Sequence, residues 1–278
     1  MIHQAVESLE GDNLVQTTNA QKAKIDKLIN SSDFYLKEKV WAYLMANILV
    51  KSSNRNDYIK LFCNESISIY PNTDVWFEAE PLSVRKDSIG NTEGNISIDL
   101  AFGNVKRRDK TKVGIEYEYV EKGSWVCFVE AKLFTDCRSY ITCDSLKNQI
   151  VHIIENLLCF QENGNFPEKL FFTLLTPRFF KEYPESRFYG YKIKEYVDVD
   201  KIINDIRRSK IPERHQQDWN YPDNLEERVK LLKINWITFE EILGDEYTIK
   251  NLDLTNLTQP TIEIFKKILE KLISKDQI

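Results

Sequence analysis

The chain has 278 residues, 42% of them hydrophobic and 29% charged, which is the composition of a globular protein with one sizeable core and additions to it. Its 38 basic and 43 acidic side chains leave a net charge of −5, which argues against a nonspecific nucleic-acid coat but not against an enzyme with one basic patch and a few committed carboxylates. No apolar run approaches the roughly 20 residues of a membrane helix, residues 1–19 do not read as a signal peptide, and five cysteines without CxxC spacing, beside three scattered histidines, point away from zinc and toward a reduced, cytoplasmic setting.

In chain order, helices are expected over 20–30 and 33–51. In the second, Trp41, Leu44, Met45, Ile48 and Leu49 form an apolar face, with Ser32 or Asp33 as its cap. Residues 74–83 alternate as a strand, with Val75, Phe77 and Ala79 on one side and Trp76, Glu78 and Glu80 on the other. A connection with Gly90 and Gly94 leads to a second strand over 95–103. A basic loop over 105–112 follows, then two β-rich runs around Lys122-Gly123 that read as a hairpin. An amphipathic helix is expected over 144–160, its stripe made by Leu146, Ile150, Ile153, Ile154, Leu157 and Leu158, and a buried strand over 168–176. The last third reads as a helix at 199–209, a loop at 211–222, a helix at 223–233, a strand at 234–239 and a helix at 259–274. This order predicts an α/β fold, a mixed central sheet flanked by helices. The expected organisation is an N-terminal helical extension (1–32), a core (33–176) and a C-terminal α/β extension packed on it (177–278).

The chemistry concentrates in two strands. Trp125 to Val129 are five apolar residues running into Glu130-Ala131-Lys132, and at strand spacing Glu130 and Lys132 project to the same face. A buried charge needs a partner or a metal. Asp99 is a lone carboxylate between Ile98 and Leu100 in the other strand. Two such carboxylates on adjacent strands make a hard-oxygen site of the kind Mg²⁺ prefers. Glu116 and Glu118 are the alternative acidic partners. If the turn centres on Lys122-Gly123, Ile115 stands opposite Glu130, and both glutamates point to the other face.

With Asp99 as the acidic strand residue and Glu130-Ala131-Lys132 as the (D/E)-x-K triplet, residues 33–176 resemble the PD-(D/E)XK nuclease superfamily, although Ile98 rather than proline precedes Asp99. The resemblance implies a restriction-endonuclease-like αβββαβ core. It implies Mg²⁺, with Mn²⁺ able to substitute, held by Asp99, Glu130 and the carbonyl of Ala131, and phosphodiester hydrolysis that leaves a 5′-phosphate. DNA is the expected substrate ahead of RNA, restriction or defence the expected setting, and a homodimer the expected form where both strands are cut. A nuclease fold without activity, serving as a nucleic-acid-binding or assembly module, is the alternative.

Members of this superfamily place a polar residue of the following helix near the metal, which makes Gln149 a candidate; otherwise it is a partly exposed helix glutamine. Glu38 reads first as a solvated helix charge and second as a further acidic ligand, and Glu78 and Glu80 read the same way on their strand. Lys106, Arg107, Arg108, Lys110 and Lys112 read either as phosphate contacts or as an ordinary solvated loop. His152 and His215 lack the partners of a nucleophilic triad.

Overall fold

The structure, a computed structural model, describes residues 15–31, 33, 36–51, 55–67, 73–85, 96–211 and 221–243. Its centre is a six-stranded mixed sheet in the order β1-β2-β3-β6-β7-β8, made by Val15–Gln16, Val75–Ala79, Ile98–Gly103, Trp125–Ala131, Lys169–Thr176 and Leu232–Thr238. β2, β3 and β6 are antiparallel neighbours, while β6, β7 and β8 run parallel, as does β1 beside β2. Parallel strands require crossovers. Helix α4 (Gln149–Leu158) supplies the one between β6 and β7. The sheet thus takes a strand from each sequence extension, β1 at one edge and β8 at the other. The expected helix at 259–274 lies outside the described residues.

Strand alternation divides the core into two. Trp125, Cys127, Val129 and Ala131 of β6 pack on one side with helices α2 (Glu38–Lys51) and α3 (Arg55–Cys63). Val126 and Phe128 pack on the other with α4, α7 (Val199–Arg207) and α8 (Leu225–Leu231). Burial on both faces explains why β6 and β7 read as unbroken apolar runs. Among the described residues no helix is long and apolar enough to cross a membrane.

Four sequence expectations change. The run 115–117 does not form a hairpin with β6. It is β5 (Ile115–Tyr117) and pairs with β4 (Val105–Arg107), which the basic loop hides. Gly103 lets the chain leave β3 for β4. Its φ is +102°, and a Cβ there would stand 2.4 Å from the carbonyl oxygen of Trp125. The helix expected from 33 begins at Glu38, and Asp33 sits in the preceding turn, ion-paired at 2.5 Å with Lys37. The helix expected from 144 begins at Gln149, because the Asn148 side chain caps it by accepting from the Val151 N–H at 3.0 Å. Leu146 is consequently exposed rather than part of the stripe.

The fourth change bears on the site. Val75 and Phe77 face the α2 side, but Ala79 faces the opposite side together with Trp76. Glu78 causes the reversal by adopting φ +46°, a left-handed conformation that costs a non-glycine residue on the order of 1–2 kcal/mol. Gln21 compensates. Its amide donates to the carbonyls of Phe77 and Glu78, both at 3.1 Å, while Gln21 also closes a capping box with Thr18 at the start of α1 (Asn19–Ile29).

Candidate active site

Leu100 pairs with Val129 across β3 and β6, so one further step in the same register sets Asp99 opposite Glu130. Both belong to the face covered by α4, where Ala101 and Phe128 lie. The strand-end carboxylates therefore meet as a cross-strand pair. Asp99 Oδ2 accepts the Ala131 N–H at 2.8 Å, which ties one carboxylate to the backbone beside the other.

Glu130 is 2% exposed and is held on one oxygen by two donors, Lys132 Nζ at 2.7 Å and Gln149 Nε2 at 2.5 Å. Gln149 is the first residue of α4, and its side-chain Oε1 accepts the Arg138 backbone N–H at 3.1 Å. Lys132 Nζ also lies 3.2 Å from Glu38 Oε1. The second oxygen of Glu38 takes the Leu133 N–H at 3.2 Å and the Thr135 hydroxyl at 2.7 Å. The first turn of α2 is thereby fastened to the residues that follow β6.

Burial, reinforced by the Glu130 charge, pushes the Asp99 carboxyl well above its ordinary range. Burial likewise raises Glu130, against the opposing pull of Lys132. Burial works against the Lys132 ammonium, yet Glu130, Glu38 and Asp99 together hold its pKa above the ordinary value. Glu38 and Glu130 thus contact one ammonium with Asp99 nearby, so carboxyl groups outnumber cations in a desolvated place, and full ionisation of the cluster is opposed. It opens into a cleft of about 450 Å³ whose lining includes Asp99, Glu130, Lys132, Gln149, Lys39, Glu78 and Arg138.

A hard divalent cation suits this donor set in chemistry. It takes oxygen ligands, uses few carboxylates, completes its shell with carbonyl and water, and would offset the charge of the ionised carboxylates. Among the described residues no group of three or more His, Cys, Asp or Glu side chains is gathered as a ready-made metal cluster. Asp99 and Glu130 would be the side-chain donors, with the Ala131 carbonyl beside them.

The structure brings Asp99, Glu130, Ala131, Lys132 and Gln149 together. It adds Glu38, whose first reading was a solvated charge, and Lys39, which pairs with Glu78 at the cleft wall. Glu116 and Glu118 stay away because β5 pairs with β4. Glu116 lies 3.6 Å from Lys106, and Glu118 is exposed. The basic run divides. Lys106 is engaged by Glu162, and Arg108 is half-buried. Arg107 lies over the Trp76 ring at 5.2 Å, and Lys110 and Lys112 are exposed. His152 is buried in the wall of the cleft, and His215 lies outside the described residues. Nothing local in the sequence marked Lys39 or Arg138. Glu38 had one signal, its place three residues before Trp41 at the border of the α2 stripe.

Comparison with protein-family models, with curated proteins and with solved structures found no match to this chain.

Proposed function

We propose that the chain is a metal-dependent nuclease with a restriction-endonuclease-like core, hydrolysing phosphodiester bonds of DNA in preference to RNA. The observation that carries this reading is the Asp99–Glu130 cross-strand pair, with Lys132 bonded to Glu130, opening on a cleft. The element order α2, α3, β2, β3, β6, α4, β7 is compatible with the αβββαβ pattern of the PD-(D/E)XK resemblance, with α3 added after the first helix and the β4–β5 pair inserted before β6.

Asp99, Glu130 and the Ala131 carbonyl would hold Mg²⁺, or Mn²⁺ in its place. When bound, such an ion polarises a phosphoryl oxygen and lowers the pKa of a bound water. Lys132 meets the phosphate. Its charge, maintained by Glu38 and Glu130, stabilises the negative charge that grows on the phosphoryl group and helps orient the attacking water. Gln149 fixes the rotamer of Glu130 by donating to the same oxygen as Lys132. Asp99 is fixed by the Ala131 N–H, which leaves its other oxygen for the metal.

The test is incubation of the purified protein with plasmid and single-stranded DNA in Mg²⁺, Mn²⁺ or EDTA. Metal-dependent cleavage with 5′-phosphate ends, absent in Glu130→Ala, is expected. No cleavage under any metal condition, or full cleavage by Glu130→Ala, rejects the reading.

A further inference from the structure

A second, larger groove of about 890 Å³ adjoins the carboxylate cleft, and the two share Lys39, Glu78 and Ser97 in their walls. Among the described residues, Lys24 of α1, Lys39 of α2, and Arg107 and Lys112 of the β4–β5 hairpin line it, against Glu78 and Glu80. Four cations against two carboxylates is a local reversal of the chain's net charge of −5. Elements remote in sequence have converged to make it.

The cations are arranged, not merely numerous. Lys24 and Lys39 are set directly against each other, so two like charges share one space with Glu78 as counter-ion to Lys39. An added anion would relieve that repulsion. The Arg107 guanidinium carbon lies over the Trp76 ring, 5.2 Å from its centroid, the Trp76 indole N–H is anchored to the Val105 carbonyl at 3.1 Å, and the guanidinium is also bonded to the Lys112 carbonyl. A guanidinium held this way is pre-oriented for phosphate oxygens. No acidic residue occupies the first turn of α1, which borders the same groove.

We infer that this groove is a phosphodiester-strand track, in which Lys24, Lys39, Arg107 and Lys112 bind the backbone phosphates next to the one presented to Asp99, Glu130 and Lys132. The inference rests on the nuclease reading and deepens it by giving the strand a direction of approach, between α1 and the β4–β5 hairpin. Lysines at three of the four positions act as point charges, so the track grips backbone without reading bases. Lys106 takes no part, because Glu162 and Glu116 engage it.

The test uses fluorescence anisotropy on the Glu130→Gln background, which prevents cleavage, with labelled single-stranded and duplex oligonucleotides across a salt series. Lys24→Ala with Lys112→Ala is compared with Lys201→Ala with Lys230→Ala, an equal charge change on exposed residues of α7 and α8. The groove pair should weaken binding of every sequence by roughly tenfold or more and flatten the salt slope by about 0.7 per lost contact on single strands and about 0.9 on duplex. The control pair should match its parent. Equal behaviour of the two pairs overturns the track and leaves the nuclease reading standing. Failure of the parent to bind either oligonucleotide at low salt overturns the nuclease reading itself. Displacement by poly-glutamate at lower concentration than by unlabelled DNA also overturns the track, in favour of an acidic protein segment as its occupant.

Discussion

Helix α4 carries two buried ion clusters that differ in charge balance and in access. At its first residue, Gln149 meets the group of Glu130, Lys132, Glu38 and Asp99, where carboxylates outnumber cations and a cleft gives access. Further along, Glu155 is 0% exposed and bonded to Lys147 and to Arg85, whose guanidinium lies 2.6 Å away, with the Tyr221 hydroxyl at 3.1 Å. Arg85 also donates to the carbonyls of Ile206 and Ile211, so this cluster joins α4 to the end of α7. Its carboxylate is fully committed and sealed from solvent. Ion pairs closed in this way specify packing and contribute little net stability over an apolar core. The other cluster has spare carboxylate oxygen, more carboxyl groups than cations and an opening, which are the properties of a site that waits for a cation and a substrate.

That contrast predicts opposite phenotypes, and the largest effects test it directly. Glu130→Ala and Lys132→Ala should lower the DNA cleavage rate by about 10³-fold or more, since the first removes a donor for the metal and the second removes the charge that stabilises the reacting phosphate. Circular dichroism spectra should remain those of the parent. Glu155→Ala should do the reverse. It leaves Lys147 and Arg85 buried without their shared carboxylate, at a cost of about 3–5 kcal/mol by urea unfolding, while cleavage per folded molecule stays near the parent value. A Glu155→Ala protein that is fully stable but inactive would erase the distinction between the clusters.

Much of the reactive pair could be read in advance, because β6 is a run of apolar residues that ends abruptly in Glu130 and Lys132, and Asp99 interrupts β3 in the same way. Burial on both faces of a sheet leaves that signature in one dimension. What could not be read depends on contacts between distant segments. Glu38 becomes part of the site through Lys132, Leu133 and Thr135, 94 to 97 positions away. The reversal at Glu78 leaves no glycine to announce it, since Gln21 from α1 stabilises the kink. The Lys122-Gly123 turn suggested the wrong partner for 115–117, because local turn signals say nothing of the β4–β5 pairing. Helices α3, α5 (Arg178–Glu182) and α6 (Phe188–Glu195) have no counterpart among the sequence expectations; α5, with 5 residues, is too short for helical periodicity to become evident.

A smaller effect concerns the surplus of carboxyl groups. The ordinary Asp99 value is 3.8, and the folded protein raises it through burial and Glu130. Below that pH the residue is protonated whether folded or unfolded and contributes nothing to the difference. As pH rises, the unfolded chain ionises first, the folded state resists, and stability falls through the window that ends at the raised folded value. Asp99→Asn should therefore melt several degrees above the parent at pH 7 in EDTA, and the gap should close on acidification toward pH 4. Mg²⁺ should stabilise the parent and do so much less in Asp99→Asn. Calorimetry at pH 4 to 8, with and without metal, measures both, and an undiminished Mg²⁺ shift in the mutant would place the ion elsewhere.

The finest test concerns Gln149, which touches Glu130 and stands next to the donors without joining them. Its amide nitrogen donates to Glu130 Oε1, and its oxygen accepts from the Arg138 backbone. Groups that orient a metal-binding carboxylate typically matter by about 10–100-fold in metal affinity or activity. Gln149→Ala should therefore raise the Mg²⁺ concentration for half-maximal cleavage by about tenfold, with a smaller change in the rate at saturating metal. Gln149→Glu separates the two ends of the side chain. It keeps the length and the acceptor for Arg138 but replaces the donor with a charge facing Glu130, so it should fare at least as badly as alanine. Parent-like metal dependence in Gln149→Glu would mean that the loop around Arg138 is what Gln149 serves. Glu130 would then be held by Lys132 alone, and the open cluster would depend on α4 for packing only, as the sealed one does.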